Sequence, residues 1–322
     1  LSTNTRSLLR YPGSKARFVD FISRAIRLNG LSGYVFAEPF CGGASASIAL
    51  LESGCADYVA LNDADPLVAH LWDTVFSETH AEWLAEQVMT IPLTIDEWRR
   101  QKALEPISPR ESALKCLYLN RTSFNGIIHQ SGPLGGWGQT KRTVGVRFNR
   151  ERLATRIREL SKLGDRVLSV SNNNWETFCD RLLANNKCFF YLDPPYYHKA
   201  EQLYGYYFDK EGHARLRDYL IASKAKWMLS YDDAPEVRSL YQRYSLKARI
   251  IDSTYSTHPM GGASHVGREV LYSNLPRLPA PDKGVIVHSG LTVRDSTFVK
   301  PDKVKLTRIP VNSTNGDDVA IA

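Results

Sequence analysis

Short apolar runs alternate with segments of helical period at both ends of this chain, and a different texture separates them. In the first 75 residues, Tyr34–Glu38 and Tyr58–Asn62 are four- to five-residue apolar runs closed by Pro, Gly or Asp. That pattern predicts buried strands. Ala44–Glu52 and Leu67–Phe76 follow them with the spacing of helices. From residue 166 the alternation resumes. Strands are expected over Val167–Val170, Cys188–Leu192 and Trp227–Tyr231, and helices over Trp175–Leu183, Gly212–Ser223 and Pro235–Tyr244. Leu246–Ile251 and Glu269–Tyr272 could close the sheet as an antiparallel pair, joined by the loop Ser253–Gly267. Strand–helix alternation of this kind argues for an α/β fold with a mostly parallel sheet.

The middle, 76–164, lacks that alternation and reads as mainly helical. Ser108-Pro109-Arg110-Glu111 has the form of a capping box with Pro at the first helical position, so a helix should begin there. A Gly-rich stretch, 132–138, follows. These boundaries divide the chain into an α/β unit of residues 1–75 and 165–275, an insertion of 76–164, and an extension of 276–322. The extension is rich in Pro, Val, Thr and Asp, and could add a strand or two.

Charge sharpens the picture of the insertion. The 322 residues carry a net charge of +7, yet residues 110–166 alone hold 12 Lys/Arg against 4 Asp/Glu. A solvated helical face is the plain reading of such a run. Interleaved Phe124, Asn125, His129, Gln130, Trp137 and Gln139 favour a nucleic-acid surface. No apolar run reaches 18 residues, which argues against a helical membrane span. Five cysteines without a CxxC pair make a disulfide framework or a structural zinc an unlikely design, so no metal is expected. They suit a reduced, cytoplasmic protein. The first 15 residues lack the apolar core of a signal peptide.

Asp193-Pro194-Pro195-Tyr196, directly after an apolar run, is the strongest chemical signal. Such a string arises by chance in roughly one chain in a thousand of this length. Its place just past a strand's carboxyl end is where open α/β sheets bind ligands. Two prolines stiffen the turn, leaving the Asp carboxylate and the Pro194 carbonyl as fixed acceptors beside an aromatic face. That set matches the two N–H bonds of an amino group on a planar ring. A proline-rich turn that merely caps the strand is the alternative. Glu38-Pro39-Phe40-Cys41-Gly42-Gly43, between a strand and a helix, would let a ligand approach the backbone. Asp63, 21 residues after Gly42, suits ribose hydroxyls or the cap of the helix from Leu67. Asn174 could accept from an adenine amino group, with Trp175 stacking, or could cap the helix at Trp175.

Taken in order, these pieces resemble the alpha-group (Dam-like) N6-adenine DNA methyltransferases over about residues 8–275. The matching strings are Arg10-Tyr11-Pro12-Gly13-Ser14-Lys15, the run from Glu38 to Gly43, Leu61-Asn62-Asp63-Ala64-Asp65, the run from Tyr118 to Gly126, and Tyr191-Leu192-Asp193-Pro194-Pro195-Tyr196. The closing strand Glu269–Asn274 matches more weakly. The resemblance implies a Rossmann-like methyltransferase fold with a mainly helical inserted target-recognition domain. S-adenosylmethionine would be the cofactor, and an adenine flipped out of double-stranded DNA the substrate.

By the same resemblance, Asp193, Pro194, Pro195 and Tyr196 are catalytic. Tyr11, Lys15, Glu38, Phe40, Gly42, Asp63 and Asn174 belong to the cofactor site and its closure. Asn120, Arg121, Asn125 and Gly126 match the motif that opens the DNA-contacting region. Lys141, Arg142 and Arg147 are assigned to DNA from the basic run and not from the resemblance, because the stretch from Gly132 to Asn149 has no counterpart in the family. A cognate restriction endonuclease is a further partner the resemblance allows, and in a bacterium the protein would sit with the nucleoid. Ala44 stands where the family has its second glycine, and Asn174 where it often has Asp. N4-cytosine or RNA-adenine methylation, a nicotinamide-dependent oxidoreductase, and a catalytically dead DNA-binding homologue are the competing readings.

Overall fold

The computed structural model describes residues 7–10, 15–140, 142–197, 207–255, 265–280 and 291–295. Tyr11 and Lys141 lie outside these described residues. Eight strands form one sheet in the order β3-β2-β1-β4-β5-β7-β6-β8. They are β1 (Val35–Glu38), β2 (Val59–Asn62), β3 (Val167–Ser171), β4 (Cys188–Leu192), β5 (Lys226–Asp232), β6 (Lys247–Tyr255), β7 (His265–Ser273) and β8 (Leu291–Asp295). The first five run parallel, whereas β7, β6 and β8 are antiparallel to their neighbours.

The α-helices among the described residues are α1 (Val19–Leu28), α2 (Ser45–Glu52), α3 (Pro66–Phe76), α4 (Glu78–Thr90), α5 (Ile95–Ala103), α6 (Pro109–Thr122), α7 (Arg150–Ser161), α8 (Trp175–Leu183), α9 (Lys210–Ala222) and α10 (Pro235–Tyr241). Every strand and helix expected in the two α/β stretches is present, with ends shifted by a few residues. The largest shift is in the closing hairpin. Its strands continue through Tyr255 and His265, into what reads from sequence as a loop. The extension contributes β8, paired with Arg249–Ser253 of β6.

Alternate strand residues face opposite layers, as a two-residue period demands. Val35, Ala37, Phe190, Leu192, Trp227 and Tyr231 pack under α8, α9 and α10. Phe36, Val59, Phe189, Tyr191 and Met228 pack under α1 and α2. The middle helices do not enclose a core of their own. Residues of α4, α6 and α7 share one with α3, Ile48 and Leu61, around the fully buried Trp72. Burying a side chain of that size is worth about 3 kcal/mol.

Helix starts follow side-chain chemistry. Asp65, Thr94, Ser108, Asn149, Asn174 and Asp209 each accept a backbone N–H at the first turn that follows. The box at Ser108 forms with one change: Glu111 accepts from the N–H of Ile107, one residue before the cap.

The sheet order places a topological switch point between β1 and β4. Chain leaving β1 crosses to β2 on one side, and chain leaving β4 crosses to β5 on the other. Crevices at such points, beyond the carboxyl ends of the strands, are where open α/β sheets hold ligands. Glu38 ends β1 and Leu192 ends β4, so the Glu38 loop and Asp193 face one crevice.

Candidate active site

The loop after β1 is wound tightly. Gly42 and Ala44 have φ of 44° and 48°. Ala44, in the place of the expected second glycine, therefore takes up the left-handed conformation itself, and the loop needs no shift. Such a residue costs about 1–2 kcal/mol, so surrounding bonds must hold it. Asp63 supplies two of them: Oδ2 accepts from Gly42 N at 2.8 Å and Oδ1 from Asp65 N at 3.0 Å. The Gly42 carbonyl accepts from Trp72 Nε1 at 2.7 Å. Glu38 caps α2 from below, because Ala44 has no side chain to do so. Its Oε1 accepts from Ser47 N at 2.9 Å and also from the Ser47 hydroxyl.

Both carboxyls are buried, and burial pushes each up to about 7. Nearby charges add to this: Asp193 and Asp63 act on Glu38, and Asp65 acts on Asp63. The cap on α3 belongs to Asp65, through Leu67 N at 3.0 Å, and not to Asp63. Asp63 is therefore not the helix cap, and its two oxygens hold Gly42 N and Asp65 N instead. Asn174 goes the other way: its Oδ1 accepts from Glu176 N at 2.8 Å, so it is the cap of α8. Trp175 is buried, 6.2 Å from the ring of Phe40, with its Nε1 lacking a partner.

Asp193 sits opposite, beyond β4. Its Oδ1 receives Ser230 Oγ at 3.0 Å and Lys15 Nζ at 3.0 Å. Lys15 is itself buried, and bridges Asp193 to Glu269 at 2.9 Å. It lies 5.4 Å from the Tyr196 ring centre. Lys15 thus sits at the Asp193 carboxylate, on the side of the pocket that its motif is expected to close over together with the cofactor. Burial pushes Asp193 up to about 6, Lys15 opposes that shift and Glu269 adds to it. Pro194 is buried, and Pro195 and Tyr196 are half-buried beside it. Ser230, Ser47 and Glu269 escaped the sequence reading. Ser47 was detectable, being three residues past a cap position without a capping side chain. Ser230 and Glu269 become visible only once β5 and β7 are paired beside β4.

Two of the residues expected at a DNA surface are structural in this fold. Asn120 is 1% exposed. Its amide receives Arg10 N at 2.8 Å, and donates to Gly126 O at 2.7 Å and to Arg10 O at 3.2 Å. Arg121 donates to the carbonyl of Leu8, and burial pulls it down to about 10, with Arg10 and Arg152 adding to the shift. Both hold the N-terminal segment, whose Ser7 hydroxyl reaches Gly43 O at 2.5 Å.

Asn125 is exposed in a left-handed conformation, φ 56°, and Arg142 is exposed. Arg147 is held down by burial and by the charges of Arg10 and Arg142. Arg10 therefore lies among like charges, acting on both Arg121 and Arg147, with Arg152 acting on the first and Arg142 on the second. Other arginines of the basic run are already engaged. Arg150 donates to Val88 O and Ile91 O, Arg156 pairs with Glu52, and Arg158 pairs with Glu82.

An anchored carboxylate beside an aromatic ring and a tightly wound glycine loop thus flank the switch point at the carboxyl ends of β4 and β1. Among individual curated proteins, none matches the sequence. The model of one family does, over residues 11–255, a span that runs from the N-terminal segment through the Glu38 loop and the Asp193 turn to the end of β6. That span is well over half of the 322 residues, and by it the chain belongs to the D12 class N6 adenine-specific DNA methyltransferase family.

Proposed function

We propose that the crevice between the Glu38 loop and Asp193 takes S-adenosylmethionine beside a flipped-out adenine, and that Asp193, Pro194 and Tyr196 carry the transfer. The observation behind this is the Asp193 turn. One carboxylate oxygen is anchored by Ser230 and Lys15, and the other would be the acceptor for the substrate's amino group. The cofactor would supply an electrophilic methyl on a sulfonium. The residues present fit such a ligand. Glu38 and Asp63 are buried carboxyls raised by their surroundings, and a cationic ligand relieves that repulsion. Each Asp63 oxygen keeps a lone pair for a ribose hydroxyl. Phe40 and Gly42 shape the wall, with the Gly42 N–H already turned to Asp63.

A duplex hides adenine N6, so the base must leave the stack, at a cost of about a few kcal/mol. Tyr196 offers it a ring. Asp193 Oδ2 and the Pro194 carbonyl accept the two N6 hydrogens, drawing the nitrogen lone pair out of conjugation and aiming it. Most of the acceleration is then orientation and support for positive charge growing on N6. The guanidinium group around Arg147 would hold phosphates, and Asn125 would present its side chain to bases. The helices within 76–164 act as the recognition part.

Transfer of label from radiolabelled S-adenosylmethionine to unmethylated duplex DNA, followed by nucleoside analysis, tests the reading. Label in N6-methyladenine is expected. Label in N4-methylcytosine, in RNA or nowhere overturns it. Phosphate binding has its own measurement. Arg142→Ala with Arg147→Ala should reduce the slope of log K against log salt by about 0.9 per lost contact. Arg158→Ala, which only frees Glu82, should leave the slope unchanged. Equal slopes in all three proteins would place the DNA elsewhere.

The pH profile follows from Asp193. The charged form is the acceptor and its folded pKa is raised to about 6. At saturating cofactor, where the bound cation keeps Glu38 and Asp63 ionised, the single-turnover rate is therefore expected to fall as pH drops through 6 and to level off above 7. Lys15 lowers that pKa, so Lys15→Met should move the midpoint to higher pH. A midpoint that does not move would show that Lys15 does not govern the ionisation.

A further inference from the structure

His213, on α9, is 1% exposed and lies far from the crevice motifs in sequence. Its ring lies over that of Tyr197, the residue directly after the Asp193–Tyr196 turn, with centres 4.7 Å apart and planes at 31°. Its Nδ1 is 2.6 Å from the hydroxyl of Tyr231 on β5. Tyr231 follows Ser230, the hydroxyl that anchors Asp193 Oδ1. The N–H of Tyr197 is bonded to Asp232 Oδ1 at 3.2 Å, at the same strand end. Phe208 packs its edge against His213 on one side and against Phe40 of the β1 loop on the other. One imidazole therefore touches the exit of the catalytic turn, the strand that anchors its carboxylate, and an aromatic path to the other wall.

Burial pulls His213 down to about 4 and pushes the Tyr231 hydroxyl well up, so a neutral imidazole and a protonated phenol share one hydrogen bond, whose direction follows the tautomer of the ring. Nε2 is buried and has no partner among the described residues. A fold that needed only an apolar filler here would keep no such polar group, because Leu or Phe fills the space without the penalty.

We propose that His213 is a positioning residue for methyl transfer, bracing Tyr197 against β5 so that the turn Asp193–Tyr196 keeps its aim. The inference rests on the catalytic role assigned to that turn. His213 acts through Tyr197 and touches neither base nor cofactor.

Single-turnover methyl transfer, cofactor affinity and DNA affinity measured on His213→Leu, Tyr231→Phe and their double variant test it. The transfer step is expected to slow about tenfold or more in each single variant, with both affinities within about threefold of the parent. The double variant should be no slower than the worse single, since both changes break one bond. His213→Asn, which can place an acceptor near the Nδ1 position, should recover part of the rate.

Should His213→Leu fail to fold, Tyr231→Phe still removes the bond at the cost of one oxygen. An unchanged transfer rate in Tyr231→Phe, or losses that add in the double variant, overturns the proposal. So does a loss of affinity equal to the loss of rate, which marks a general packing role. Asp193→Ala is run in parallel. If it stays active, the catalytic reading fails first; if it is dead while the His213 and Tyr231 variants keep full rate, only the positioning role fails.

Discussion

Asp193→Ala is expected to slow methyl transfer by about 10³-fold or more while cofactor binding survives. The size follows from what the carboxylate does. In the proposed site it is the charged acceptor at the atom where positive charge develops, and removing one such preorganised partner typically costs about 10²–10³ in rate. Here the loss also removes the aim, because the Pro194 carbonyl alone fixes only one N6 hydrogen. Asp193→Asn is the sharper version. It keeps the shape and can still take Ser230 and Lys15 on its carbonyl oxygen, but it turns an amide N–H towards the substrate's own donors. We expect it to be nearly as slow as Asp193→Ala. Single-turnover rates at saturating cofactor and DNA separate chemistry from binding. Near-normal turnover by either variant would remove Asp193 from the mechanism.

The second large effect concerns Asp63. Asp63→Ala is expected to weaken cofactor binding about 100-fold, with DNA affinity much less changed. Two backbone donors, Gly42 N and Asp65 N, lose their only acceptor in a buried place. Each such orphan costs about 1–3 kcal/mol. The loop cannot simply relax, because Ala44 already stands in a left-handed conformation that these bonds help maintain. Asp63→Asn should be milder, since one oxygen still serves one N–H. Calorimetric titration with S-adenosylmethionine gives the ratio. An affinity within about threefold of the parent would mean that Asp63 holds neither the loop nor the ribose.

The legible part of this protein consists of local patterns. Apolar runs of four or five residues between turn signals located β1, β2, β4 and β5, since a strand buried on both faces has little room for polar side chains, and the same local signal located β3, which is half-exposed at the sheet edge. Cap residues marked where α6 and α8 begin. The ends of β6 and β7 were missed because their outer halves, Asp252–Tyr255 and His265–Arg268, carry polar residues that read as a loop. Pairing with each other, and of Asp252 and Ser253 with β8, makes those halves strands. The basic run was legible as charge but not as a surface. Only the fold shows that Arg150 and Arg158 are consumed within it while Arg142 and Arg147 face outward among like charges.

By itself the sequence determined the order of elements, the α/β class and the residues able to do amino-group chemistry. All of these depend on neighbours a few positions apart. The tertiary structure decided which of those residues act together. It put Lys15 on Asp193 across 178 positions, retired Asn120 and Arg121 to hold the N-terminal segment, made Asn174 a helix cap, and set His213 behind the catalytic turn. A carboxylate's partners are chosen by distance and burial in the folded chain, and neither is written in the spacing of residues along it.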